Sequence, residues 1–124
     1  MFRSSRSQTG VDGETLALAY LQKQGLRLVE RNYRVARGPS RRGGEIDLIL
    51  RDRDGTLVFV EVRARASADQ GGAAASVTAR KRASLILAAQ HYLLRLPSPP
   101  PCRFDVLAID GSQVEWLPGA FDVG

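Results

Sequence analysis

Three carboxylates interrupt two apolar runs of this 124-residue chain: Glu45 and Asp47 in Gly44-Glu45-Ile46-Asp47-Leu48-Ile49-Leu50, and Glu61 in Leu57-Val58-Phe59-Val60-Glu61-Val62. A carboxylate set among Ile, Leu and Val is costly unless something partners it. The runs are joined by Asp52-Arg53-Asp54-Gly55-Thr56. A three-residue loop over Arg53, Asp54 and Gly55, with the glycine left-handed, makes Asp52 and Thr56 the closing pair of a hairpin. Counting outward sets Asp47 opposite Glu61 and Glu45 opposite Arg63, and strand alternation sends all four to one face. A two-residue Asp54-Gly55 loop would instead put Asp47 and Glu61 on opposite faces, so the geometry hangs on the turn.

Carboxylates opposed across neighbouring strands lie about 5 Å apart at Cβ, so ionising both raises one pKa. A divalent cation removes the conflict. Asp47 and Glu61 are candidate ligands for Mg or Mn, with water and a phosphate oxygen completing the shell. Such an ion generates a nucleophile from water and polarises a phosphoryl oxygen, the minimum equipment for phosphodiester hydrolysis. Arg63 on the same face is placed to stabilise developing negative charge. A cross-strand ion pair between Glu45 and Arg63 is the simpler role for Glu45.

These residues need a frame to hold them. Leu16, Ala17, Tyr20 and Leu21 recur at helical spacing and predict a helix from about 12 to 24, with Glu14 in its first turn and Gly25 as the residue that ends it. Leu26 to Val35 alternates imperfectly and suits an edge strand with a basic exposed side. The acid-bearing runs predict strands over about 45–51 and 56–64. Ala64 to Ser76 is small and polar and reads as a crossover. A long helix over about 77–95 follows, capped by Ser76, with Val77, Leu85, Ala88, Ala89, Tyr92 and Leu96 toward the sheet. The proline cluster from Pro97 to Pro101 stops it. Cys102 to Ile109 and Val114 to Leu117 predict two last strands around an Asp110–Gln113 turn. The order αβββαββ gives a mixed α/β sheet flanked by helices. Asp105, His91, Tyr92 and Trp116 read as structural or surface residues, and Cys102 as a small buried hydrophobe.

The length fits one domain, taken as residues 10–124 after a frayed basic tail over 1–9. No apolar run reaches the length of a membrane span, and the N-terminus lacks the apolar core of a secretory signal, so a cytoplasmic location is expected. Cys102 and His91 each stand alone, which excludes an internal disulfide and any multi-cysteine metal site and leaves only oxygen ligands for a metal. The net charge is +5, with nine basic residues against three acids in residues 1–42 and none after Arg103. That asymmetry favours a polyanionic partner, nucleic acid foremost. Arg41 and Arg42 in the glycine-rich loop, Arg65 beyond the second acidic strand, and Arg80, Lys81 and Arg82 at the start of the long helix are the candidate nucleic-acid contacts.

Asp47, thirteen further residues, then Glu61-Val62-Arg63, on two strands after a helix with an acid in its first turn, resembles the PD-(D/E)XK nuclease superfamily. That group includes Holliday junction resolvases and many restriction enzymes. Gly13-Glu14, Leu16-Ala17, Gly44-Glu45-Ile46-Asp47-Leu48-Ile49, Val58-Phe59-Val60-Glu61-Val62-Arg63, Gly71-Gly72-Ala73, Val77-Thr78 and Arg103-Phe104-Asp105-Val106, in that order, resemble the bacterial UPF0102 (YraN-type) family over about residues 10–122. The resemblance implies a restriction-endonuclease-like fold, binding of DNA, branched or damaged, and a divalent-metal site; resolvase-like chemistry would further need a homodimer. Asp47 and Glu61 match the metal-binding acids, Glu14 the helix acid that often joins them, and Arg63 the lysine position. The chain departs from the pattern there, since arginine stays protonated and cannot serve as a general base. Of its two lysines, Lys23 is expected near the far end of its helix, leaving Lys81 as the one substitute. A non-catalytic nucleic-acid-binding module on the same fold is the alternative.

Overall fold

Apolar residues spaced for two helices and five strands fold into three layers, seen in a computed structural model that describes residues 5–36, 38, 43–64, 77–111 and 113–121. The order is α1 (Ser5–Lys23), β1 (Arg27–Val35), β2 (Gly44–Arg51), β3 (Leu57–Ala64), α2 (Ala79–Leu93), β4 (Cys102–Asp110) and β5 (Gln113–Phe121). The strands pair in the same order, β1-β2-β3-β4-β5. All neighbours are antiparallel except β3 and β4, which are parallel as the α2 crossover between them requires. The expected αβββαββ mixed sheet flanked by helices is the observed architecture. No described helix is long and apolar enough to cross a membrane.

Each helix covers one face of the sheet. Ala17 and Leu21 of α1 join a buried cluster with Leu48, Leu50, Val58, Val60 and Leu107. Leu85, Ala88, Ala89 and Tyr92 of α2 pack with Ile46, Ile49, Phe59, Phe104 and Val106 on the other face. β2 and β3 contribute to both clusters, which is why they read as nearly continuous apolar runs.

Several boundaries differ from expectation. α1 begins at Ser5 rather than near residue 12, since no proline interrupts Ser5–Val11 and only the modest penalty of Gly10 opposes the helix. Residues 5–9 of the expected frayed tail thus fall within α1, and residues 1–4 lie outside the described residues. The cap of α2 is Thr78, whose Oγ1 accepts from the Lys81 N–H at 3.2 Å; Ser76, the expected cap, lies outside the described residues. β5 runs to Phe121, well past the expected end at Leu117. Cys102 is exposed rather than buried, because it is the first residue of β4, just past the proline run. Asp105 is structural as expected. Fully buried, it accepts from Arg103 Nε at 3.0 Å, Trp116 Nε1 at 2.9 Å and the Gly119 N–H at 2.9 Å, tying β4 to β5.

Candidate functional site

The turn that fixes the acid register is the one expected. The Asp52 N–H donates to Thr56 O at 2.9 Å, the Gly55 N–H donates to Asp52 O at 3.0 Å, and Gly55 sits at φ +91°. From that turn the ladder runs Arg51↔Leu57, Leu50↔Val58, Ile49↔Phe59, Leu48↔Val60. Continued one step further, the same register would set Asp47 opposite Glu61.

The ladder stops there, although each strand has eight residues and only four pairs are made. Beyond Leu48, β2 stays paired with β1 as far as Gly44↔Val35, while β3 stays paired with β4 as far as Ala64↔Ile109. The strands therefore fork, with Asp47 and Glu61 at the crotch. Asp47 Oδ2 accepts from the Val62 N–H at 2.8 Å, so a side chain replaces the backbone acceptor that the parted strand no longer offers. The side-chain alternation also breaks at this point, as Ile46 packs toward α2 but Leu48 toward α1. Asn32, between the residues paired with Leu48 and Ile46, adopts φ +52°. Asn tolerates that left-handed region better than most residues, but nothing in its sequence neighbourhood announced the distortion.

Charges converge on the fork from four elements. Glu61 is 3% exposed, and its Oε2 lies 3.5 Å from both Arg63 Nη1 and Lys81 Nζ. Burial, and next the charge of Glu61, push the Asp47 carboxyl up to about 7; the Val62 N–H opposes the shift, and Glu14 and Glu45 add smaller upward pushes. Glu14 of α1 pairs with Arg31 of β1 at 3.5 Å, a partner the sequence did not suggest. Glu45 does not pair with Arg63 as expected. Arg63 turns back along its own strand to Glu61, because the fork carries β2 and β3 apart, and the Glu45 backbone N–H donates to Ser84 Oγ at 3.3 Å.

The structure thus brings together Asp47, Glu61 and Arg63, with Glu14 near enough for its charge to act on Asp47, and it adds Lys81. Arg80 and Arg82 are exposed beside Lys81, and the Arg82 guanidinium lies 5.6 Å from the Phe121 ring centre. Arg41, Arg42 and Arg65 lie outside the described residues. Among the described residues no three of His, Cys, Asp and Glu gather into a ready cage. Two carboxylates with only oxygen donors suit a magnesium-like ion, which keeps several waters and takes one or two protein carboxylates.

The family model described as "Uncharacterised protein family UPF0102" matches residues 13–109, a span that contains the second half of α1, the fork and α2. A UPF0102 protein of Methylibium petroleiphilum is 66% identical over 113 residues, covering 91% of this chain and 93% of its own length. One from Paracidovorax citrulli is 60% identical, covering 98% of this chain and 88% of its own, and one from an Acidovorax species is 58% identical, covering 97% and 88%.

Proposed function

We propose that this chain, which belongs to the UPF0102 family, is a divalent-metal-dependent nuclease of the PD-(D/E)XK kind that acts on DNA in the cytoplasm. The observation that carries this reading is the forked strand pair, which sets two carboxylates together at the cost of the Asp47 pKa. A buried acid held against its own ionisation beside a second carboxylate marks a candidate functional site. Asp47 and Glu61 are the residues that would hold a Mg or Mn ion. When bound, such an ion supplies Lewis acidity and water activation. The protein's own part is to hold the two carboxylates rigid: Asp47 is anchored on the Val62 N–H, and Glu61 is fixed in β3 between the paired strand β4 and helix α2. Arg63 and Lys81 stand where phosphate charge would be met, and the exposed Arg80 and Arg82 extend the basic surface beside them. Resolution of branched DNA would take two copies of the chain.

Incubation with linear, nicked and branched DNA in Mg or Mn tests the reading. Cleavage is expected, with a loss of about a hundredfold or more in Glu61→Ala and Asp47→Ala, the scale of losing a principal electrostatic group. Cleavage that survives both substitutions would remove these acids from the chemistry. One feature favours a second reading, a nucleic-acid-binding module without catalysis: Arg63 stands where the nuclease pattern has a lysine, and a guanidinium does not serve as a general base. Salt-sensitive DNA binding with neither metal affinity nor cleavage would select it.

A further inference from the structure

Two cations on one carboxylate oxygen is more than a single charge needs. Arg63 Nη1 and Lys81 Nζ both lie 3.5 Å from Glu61 Oε2. Charge-assisted N–H···O bonds close to about 2.7–2.9 Å when they are tight, so both are loose pairs. They differ in how they are tethered. Arg63 is two residues from Glu61 on the same strand and stays beside it whatever else arrives. Lys81 comes from another element, in the first turn of α2, with its backbone N–H fixed by Thr78 and its side chain 43% exposed against 32% for Arg63. A cation in a first helical turn is opposed by the helix dipole, which makes an anionic partner for Lys81 more valuable than usual. No acid stands in that turn to provide one.

We propose that Lys81 changes partner: it balances Glu61 while no metal is bound, and is released toward a DNA phosphate when a divalent ion takes Glu61. This rests on the metal reading of Asp47 and Glu61. A divalent ion on Glu61 repels the Lys81 ammonium, and a backbone phosphate at the fork replaces the partner it loses. Metal and DNA binding are thereby coupled through one side chain, and the coupling is reciprocal.

Two titrations test it. Free Mn is followed by electron paramagnetic resonance as it is added to wild type, Lys81→Met, Lys81→Gln and Lys81→Arg, and binding of a short DNA duplex is measured with and without Ca. Removing the competing charge tightens Mn binding about three- to tenfold in the two neutral variants, and Lys81→Arg stays near wild type. The neutral variants lose DNA affinity about three- to tenfold in Ca, and less than about twofold without it, because Lys81 is then occupied by Glu61. Unchanged or weaker Mn binding in both neutral variants overturns the proposal, as does an equal loss of DNA affinity with and without Ca. Wild type that takes up no Mn overturns the metal reading itself, a different failure from wild type that binds Mn as its neutral variants do. Thermal melts matching wild type establish that the variants are folded.

Discussion

Burial and the neighbouring Glu61 hold the Asp47 carboxyl near a pKa of about 7, against an ordinary value of 3.8. The folded protein therefore binds this proton more tightly than the unfolded chain. Stability from this group is complete below about pH 4 and declines as pH rises toward 7, where the carboxylate ionises in place. Asp47→Asn keeps an oxygen for the Val62 N–H but carries no charge. In the absence of metal at pH 8 it should be more stable than wild type by on the order of 2 kcal/mol, about 5–10 °C in melting temperature. Its melting temperature should also lack most of the wild-type decline between pH 4 and 7. Equal melts at pH 8 would mean that the carboxylate is not strained. Mg should recover stability for wild type and not for Asp47→Asn, because an ion that binds only the folded state stabilises it by mass action.

At the scale of elements, the fork depends on how closely α2 lies on β2. A Cβ on Gly44 would stand 2.6 Å from Ser84 O and 3.1 Å from Ala88 N, both backbone atoms that cannot turn aside. Gly44→Ala should push the helix off the strand and lower stability by about 1–3 kcal/mol, with a drop in melting temperature as the readout. The same shift moves the first turn of α2, so Mn affinity should change as well; a wild-type melt would show that the contact is not tight. Much of this frame was legible beforehand. Gly55 specified the turn, the turn specified the register, and the period of Leu85, Ala88, Ala89 and Tyr92 located the buried face of α2. The fork was not legible, because period-2 alternation carries no sign of where a ladder ends. Register placed Glu45 opposite Arg63, but the pairing that would bring them together stops three residues earlier, at Leu48↔Val60. Lys81 was identifiable as the available lysine, yet its contact with Glu61 joins residues from different elements, which local sequence patterns do not report.

For the whole molecule, the net charge of +5 and the exposed arginines of β1 and α2 point to a polyanion. β1 forms one edge of the sheet, with Arg27, Arg31 and Arg34 exposed along it, and their charge also discourages edge-to-edge association. DNA affinity should fall steeply with salt, with a log–log slope of about −3 to −5 if four or five phosphates are neutralised. A slope near zero would leave the basic surface without a nucleic-acid role. We propose that Asp47 and Glu61, at the crotch of the fork, hold a divalent ion. Anomalous diffraction from crystals soaked in Mn would locate that ion. One strong peak in contact with both carboxylates is expected, with the Lys81 ammonium moved away from Glu61; no peak there, with Glu61 still paired to Lys81 and Arg63, would overturn the metal reading.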